Sequence, residues 1–580
     1  MSEEVGSLPM RWKPHLAITL GVVAAFARAV PYPLRTRWDD GRFLIDDPLV
    51  HEVSWHSLVE MFARPHFQAY HPLHLLSYWL DVPWTHAHAP TLHAVNLVLW
   101  VLAANLLFLA LRRLELGSVP ALLAALAFAV HPVQVEAVSW ATGRKDVLAA
   151  LFAFAALLAH LHARAWGDRH AWLARASFAC AALSKTTALP WPVLLWLVDV
   201  CLRGERPGRA FRMQLPSLAL AFGLAPWVLL TWGEHDMIRA NSTMGSAVLR
   251  VANTMAHQIV TAIRPHANAP MYSTRAVGVF SFAHLAPLAA ATLMAVVASR
   301  FAPPAHARRA NFALLAFVAL LAPVSNAVPM VFPWQDRYLS LPLFALAFAF
   351  GAALDAPPSS SRHGSTTARL MLGALLVVAL GARAVQYQGV WSSELRLWGH
   401  AASTQPAAYY AWMKLGEVRR EGGDLDGAIR AYSRMLQLEP GYKLGYAALC
   451  QAAALRDERI RHLAPSRAEA YARALYSSLD DADTLRTLGA HMLASGHVRT
   501  LEIPLARALD LSPFPDDALE RAATSHFRAG RSTVGLFYLR QMRVATKNPA
   551  LLRIEAAARA AFGGAPIFPR LMAAPARRAW

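Results

Sequence analysis

Long apolar runs alternate with short polar loops through the first 386 residues, and amphipathic helical periodicity with ordinary charge content follows. Because a helix needs about twenty mostly apolar residues to cross the hydrocarbon core, the pattern predicts about eleven spans. They fall near residues 15–34, 91–111, 118–137, 147–163, 171–184, 187–202, 214–232, 277–299, 311–329, 338–355 and 369–386. The expected fold is all-α, with a polytopic membrane helix bundle over 1–386 and a soluble helical domain over 387–580.

The soluble part carries the spacing of a tetratricopeptide repeat, a helix pair of roughly 34 residues. The matching positions are Trp412, Leu415, Gly416, Ala428, Tyr432 and Pro440, and a weaker copy follows at Leu488, Gly489, Ala508 and Pro513. Small residues stand where two helices would pack, and proline stands where the second would end. Such repeats stack into an α-solenoid whose concave surface ordinarily binds peptide or protein.

Composition agrees with a membrane protein, because 56% hydrophobic residues and a mean hydropathy of +0.31 are too apolar for an ordinary soluble chain. The net charge of +19 comes largely from arginines in short loops beside the spans, where they act as orientation signals. No basic stripe with interleaved aromatics is present, so nucleic acid is not an expected partner.

The three cysteines form no disulfide framework or CxxC pattern. The run from Leu16 to Val30 lacks a cleavage site and is expected to be a retained span.

Placing the N-terminus in the cytoplasm puts most of the tight arginine-rich turns there as well. The outer side then receives 35–68, 131–146, Lys185, 234–275, 335–337 and everything after Tyr387. Most polar signals that could carry chemistry therefore fall on one side of the membrane.

Two acidic pairs, Asp39-Asp40 and Asp46-Asp47, lie in the first outer loop. Adjacent carboxylates can supply a general base and a partner that orients an acceptor hydroxyl. The alternative is a pair of solvated turn residues before Pro48.

Cations at the predicted outer boundaries point to anion recognition. They are Arg144 and Lys145 in HPVQVEAVSWATGRKD, Lys185 in SKTTALPWP, and Arg337 in QDRYLSLP. The alternative is simple snorkelling of each side chain to the interface.

Histidines between 66 and 93 have spacings that allow a metal site, but no cysteine or HExxH accompanies them, and no metal or cofactor is expected. Nucleotide-binding loops and a GxSxG elbow are also missing from the sequence.

Six segments, in order, resemble the transmembrane and tetratricopeptide-repeat O-mannosyltransferase family and its bacterial relatives, within the GT-C class of integral-membrane glycosyltransferases. They are FLIDDP, YHPLHLLSYWLD, LHAVNL, HPVQVEAVSWATGRKD, SKTTALPWP and QDRYLSLP, followed by the repeat segment. The resemblance places the family's first-loop acidic pair on Asp46-Asp47, with Asp39-Asp40 as the fallback. It places the second-loop acid on Glu136 and the late arginine on Arg337. Gln134 stands where the family often has histidine.

The resemblance implies transfer of a sugar, mannose in this family, from a polyprenyl-phosphate donor to a serine or threonine hydroxyl of a protein. The reaction would take place on the non-cytoplasmic face, here the periplasmic side of a bacterial inner membrane, with the acceptor bound by the repeat domain. Asp46 or Asp47 would be the base, and the cations Arg144, Lys145, Lys185 and Arg337 would stabilise the phosphate leaving group. Alternatives are a lipid or glycan acceptor, a non-catalytic membrane-anchored scaffold, and a transporter of lipid or solute.

Overall fold

The computed structural model describes residues 12–439, with gaps at 68, 235–243, 267, 274–303 (three single positions aside) and 356–362, and five positions between 445 and 455. The chain divides into two compact units, Met1–Pro406 and Ala407–Trp580. Every named element of the described residues is a helix, which confirms the all-α class. The expected domain boundary between 386 and 387 stays a prediction.

The first unit begins with one apolar helix, a loop of short helices, and a long helix. These are α1 (Lys13–Phe26), α2 (Pro48–His51), α3 (Trp55–Ala63), α4 (Pro72–Ser77), α5 (Val82–Thr85) and α6 (Ala89–Arg113). Proline at the first or second position starts α1, α2, α4, α5 and α6, where its missing N–H costs no helical hydrogen bond.

The remaining helices of this unit follow in chain order. They are α7 (Ser118–Ala129), α8 (Gln134–Ser139), α9 (Arg144–His162), α10 (Arg169–Ser184), α11 (Trp191–Leu197), α12 (Pro207–Glu234), α13 (Met244–Ile263), α14 (Pro304–Leu321), α15 (Leu343–Leu354), α16 (His363–Gln388) and α17 (Glu394–Thr404).

Five helical stretches among the described residues are long and apolar enough to cross a membrane, which makes this an integral membrane protein. They are Ala89–Arg113, Ala141–His162, Pro207–Thr231, Pro304–Val324 and Thr366–Ser392. Shorter apolar helices occupy Ser118–Ala129, Thr186–Leu202 and Leu343–Leu354. The expected span near 277–299 lies outside the described residues, and the count of about eleven stays a prediction.

Two expected spans end early in the structure for the same physical reason. Helix α1 ends at Phe26, before Pro31 and Pro33, although the apolar run continues to residue 34. Helix α7 ends at Ala129, before Pro132, although the run continues to 137. Proline cannot donate the helical hydrogen bond and disfavours helix at the residue before it.

Helix α9 packs mainly against α6 and α10. In its span 67% of the most apolar window is buried by protein, compared with 17% in the span Thr366–Ser392. Its buried face contains alanines at Ala149, Ala150 and Ala153, whose small side chains let neighbouring backbones approach closely. The polar residues at the ends of α9 are therefore held on the most enclosed of the five candidate spans.

The second unit begins with an antiparallel helix pair, α18 (Tyr409–Glu421) and α19 (Leu425–Leu438). A Cβ added to Gly416 would overlap the ring of Tyr432, so the glycine permits the close approach that the repeat pattern predicts. The weaker copy between 488 and 513 lies outside the described residues, and the solenoid stays a prediction.

Candidate functional site

The residues that the sequence singled out come from separate loops, and the described contacts join several of them. Glu136 contacts Arg337, 201 positions away, and Lys145 contacts Asp39, 106 positions away. Lys145 and Arg337 also both lie over the Trp140 ring, at 4.7 Å and 5.3 Å from its centroid. The acids and cations of the candidate site are therefore neighbours in space.

The fully buried Glu136 and the partly buried Arg337 form an ion pair between α8 and the 3-10 turn Asp336–Leu339. The backbone N–H of Arg337 donates to Glu136 Oε2 at 3.1 Å, and its guanidinium donates to Oε1. Gln134 joins the same two segments, because its amide donates to the Ser340 carbonyl at 3.3 Å and accepts from the Ser340 hydroxyl at 2.9 Å. The glutamine at the position of the family histidine thus clamps the segment that carries Arg337.

Lys145 lies between an acid and two aromatic rings. Its Nζ is 3.3 Å from Asp39 Oδ2, 4.7 Å from the Trp140 ring centroid and 5.5 Å from that of Phe43. The Asp39 side chain remains 35% exposed, which leaves part of the carboxylate accessible to another molecule.

Lys185 follows the last residue of α10 and pairs with Asp146 at the start of α9. Burial lowers the pKa of Lys185 to about 8, although Asp146 acts to raise it. The side chains of Lys145, Lys185 and Arg337 keep 11%, 12% and 13% of their surface exposed. Each of these three cations is thus paired with an acid, and part of its side-chain surface remains accessible to another molecule.

Of the two acidic pairs, it is Asp39-Asp40 that the structure brings to the 140–145 segment. Asp40 is fully buried and accepts hydrogen bonds from the backbone N–H of Arg35 at 2.7 Å, from that of Thr142 at 3.0 Å, and from the Thr142 hydroxyl. Burial raises the pKa of Asp40 to about 6, and these donors limit the rise. Asp40 therefore ties the first outer loop to the start of α9.

Asp46 and Asp47 take other positions in the same loop. Asp46 is exposed. Asp47 is buried and caps α2, where its Oδ1 accepts from the backbone N–H of Leu49 at 3.0 Å. Capping of α2 is a sufficient structural reason for an aspartate at this position.

The sequence predicts that Arg144 binds the donor phosphate. In the structure its side chain is fully buried and hydrogen-bonded to other protein groups. Its Nε donates to Asn96 Oδ1 at 2.7 Å, and its two terminal nitrogens make a bidentate pair with Asp81. Two further bonds reach the carbonyls of Ser77 at 3.3 Å and Leu92 at 3.2 Å. A guanidinium has five N–H donors, so these five bonds leave none for a ligand.

Asp81 and Asn96 were not predicted as site residues, although both lie in segments that carry the family resemblance, YHPLHLLSYWLD and LHAVNL. Periodicity gives no sign that either faces Arg144.

An aromatic cluster around Trp38 was also missed. Its ring centroid lies 4.7 Å from that of Trp140, 5.8 Å from Trp391 and 5.2 Å from Trp398. Arg337 stands over Trp38 at 5.7 Å and over Trp140 at 5.3 Å. The feature of the sequence that could have indicated this cluster is the position of Trp38, which directly precedes Asp39.

Asp336 is a second acid that sequence reasoning missed, next to Arg337. It accepts from the Tyr272 hydroxyl at 2.6 Å and from the Asn268 amide at 3.0 Å. Burial, and secondarily the charge of Glu136, raise the pKa of Asp336 to about 8. These bonds fix the turn from which Arg337 projects.

No family model matches the chain. The chain is similar to protein O-mannosyl-transferases. One from Caenorhabditis elegans is 22% identical over 431 residues, covering 70% of this chain and 60% of the relative. The Tmtc2 enzyme of Drosophila melanogaster is 35% identical over 164 residues, 27% of this chain and 17% of the relative. TMTC3 of Mus musculus is 30% identical over 105 residues, 18% of this chain and 11% of the relative.

The chain thus spans 60% or less of the length of these three relatives. Among solved structures, the mycobacterial arabinofuranosyltransferase AftD matches with a TM-score of 0.35 and 18% identity. That match covers 66% of this chain and 27% of AftD.

Proposed function

We propose that this protein is an integral-membrane glycosyltransferase. It transfers mannose from a polyprenyl-phosphate donor to a serine or threonine hydroxyl of a protein, on the non-cytoplasmic face of the membrane. The observation that carries the proposal is that the Asp39–Lys145 and Glu136–Arg337 pairs both lie against the Trp140 ring. The named relatives support it, since all three are protein O-mannosyl-transferases.

In this proposal the leaving group is stabilised by cations. When the bond between the anomeric carbon and the phosphate oxygen breaks, negative charge stays on the lipid phosphate. Lys145, Lys185 and Arg337 hold that phosphate, because each keeps an exposed edge. Arg144 acts differently: its donors are occupied within the protein, so it stabilises the fold and does not contact the phosphate.

Asp39 is the proposed base. The acceptor hydroxyl attacks the anomeric carbon from the face opposite the phosphate, and its proton passes to the Asp39 carboxylate as the new bond forms. Direct displacement inverts the anomeric centre. The buried Asp40 positions this loop through Thr142, whereas Asp46 and Asp47 are placed outside the reaction, the latter as the cap of α2.

The partners and location are part of the proposal. The repeat domain, which begins with α18 and α19, binds the protein acceptor, and the spans hold the enzyme in a bacterial inner membrane with the site on the periplasmic side. Protease accessibility of the chain beyond Trp398 in oriented vesicles tests that side.

The deciding experiment compares Asp39→Asn with Asp46→Asn in membranes supplied with labelled polyprenyl-phosphate mannose and a serine-rich or threonine-rich acceptor. Asp46→Asn is the matched control, because it makes the same chemical change in the same loop. We expect Asp39→Asn to lower transfer at least about 100-fold, the usual contribution of a general base, and Asp46→Asn to change it less than about twofold. Full transfer by Asp39→Asn would remove Asp39 as the base, and loss confined to Asp46→Asn would reassign the role.

The same assay separates the alternatives. A membrane-anchored scaffold shows no transfer in the wild-type protein with any sugar donor. An enzyme for a lipid or glycan acceptor shows transfer that does not depend on the peptide.

A further inference from the structure

His71 is a buried polar side chain to which the proposed reaction gives no role. It directly precedes α4, and the residue is 6% exposed. Among the described residues, its Nε2 has no hydrogen-bond partner. A buried polar atom without a partner is costly, so each such atom calls for an explanation.

The surroundings of His71 include two of the proposed phosphate-binding cations. Its ring centroid lies 5.3 Å from that of Phe43, and Lys145 Nζ lies 5.5 Å from the same centroid. Helix α4 also packs against α9 and α10, which lead to Lys145 and Lys185. The imidazole and the Lys145 ammonium thus both lie near the Phe43 ring, and the charges of Lys145 and Lys185 both act on the imidazole.

The imidazole is neutral at neutral pH. Burial lowers the pKa of His71 well below its ordinary value, and the charges of Lys145, His66 and Lys185 lower it further. A neutral imidazole adds one N–H donor without adding a positive charge.

We propose that His71 is a ligand of the donor lipid, donating a hydrogen bond from its neutral imidazole to a phosphate oxygen held by Lys145 and Lys185. The inference rests on the proposed function and names one more contact of the same site. It accounts for the unpartnered nitrogen, because the phosphate supplies the acceptor that the protein lacks.

His74 provides a matched control. It lies three positions later in α4, is also buried, and its ring centroid is 4.9 Å from that of His71. Its Nε2, however, is 2.9 Å from the Tyr78 hydroxyl, and Tyr78 donates in turn to the Ala141 carbonyl at 3.1 Å. Through Nε2, His74 thus belongs to a hydrogen-bond chain within the protein, whereas its Nδ1 has no hydrogen-bond partner among the described residues.

The test measures equilibrium binding of polyprenyl phosphate to the purified full chain in nanodiscs. His71→Phe keeps a ring against Phe43 but removes both nitrogens, and His71→Gln keeps an N–H near Nε2. We expect His71→Phe to weaken binding about tenfold, since a hydrogen bond to a charged group is lost. His71→Gln should stay within about threefold of wild type, and His74→Gln should bind as wild type.

Parallel titrations with polyprenol and with inorganic phosphate identify the source of the phosphate. We expect polyprenol to bind all variants equally and inorganic phosphate to bind without dependence on His71. Wild-type affinity in His71→Phe, equal losses in His71→Phe and His71→Gln, or an equal loss in His74→Gln would overturn the inference. A dependence on His71 that inorganic phosphate alone reproduces would also overturn it, in favour of a free-phosphate site.

This assay contains no sugar, so its outcome is independent of transfer. A wild-type protein that binds polyprenyl phosphate through His71 but transfers no sugar would refute the proposed function and leave the phosphate contact standing.

Discussion

Arg144 offers the clearest separation between a structural cation and a phosphate-binding one. The guanidinium is 0% exposed and its partner Asp81 is 2% exposed, so Arg144→Met leaves a carboxylate buried without its counter-charge. Removing one member of a buried pair costs about 3–5 kcal/mol of unfolding free energy. Lys145→Met is the comparison, since its acid Asp39 is 35% exposed and that pair is worth about 1 kcal/mol.

The assay is the midpoint of thermal unfolding in nanodiscs, followed by tryptophan fluorescence. At about 2 °C per kcal/mol, Arg144→Met should lower the midpoint by about 6–10 °C and Lys145→Met by about 2 °C. The double variant Arg144→Met with Asp81→Leu removes both charges and should be more stable than Arg144→Met alone.

The same proteins also separate two roles in catalysis. For the folded fraction of Arg144→Met we expect the wild-type KM for the lipid donor, whereas Lys145→Met should raise that KM. An Arg144→Met protein of normal stability with a raised donor KM would refute the reasoning and make Arg144 a phosphate ligand.

Two further predictions concern the same end of the bundle. A Cβ at Gly143 would overlap the Ala137 carbonyl oxygen, whereas a Cβ at Gly389 would meet nothing within 4 Å. Gly143→Ala should therefore lower the thermal midpoint and the yield of folded protein, and an equal effect of Gly389→Ala would contradict this account. Burial raises the pKa of Asp40 to about 6, above its ordinary value of 3.8, so the folded protein binds the proton more tightly than the unfolded chain. The Asp40 contribution to stability should fall as pH rises from about 4 to about 6 and be constant above, and Asp40→Asn should remove that slope from the midpoint measured against pH.

Much of the candidate site was accessible from the sequence. The sequence predicts both Glu136 and Arg337, and the structure joins them directly. It also predicts Lys145 and Lys185 as phosphate-binding cations, and in the structure each is paired with an acid. These residues could be found because charged side chains beside apolar runs are costly and therefore informative.

The partners of those residues could not be found in the same way. The first-choice acidic pair was Asp46-Asp47, yet the structure places Asp39-Asp40 against the start of α9. Both pairs are two carboxylates in one loop, and local sequence contains nothing that measures their distance from Thr142, 102 positions from Asp40.

The sequence by itself determined the class of molecule: apolar runs of spanning length require helices, since no other open structure satisfies its backbone hydrogen bonds in lipid. Only the tertiary structure decided which charged side chains are fully bonded within the protein and which can still contact another molecule. Arg144 and Lys145 are adjacent in sequence, but Arg144 is enclosed by Asp81 and Asn96, whereas Lys145 lies beside the accessible Asp39. The physical reason is that adjacent side chains on a helix face different directions, and what each one meets depends on segments distant in the chain.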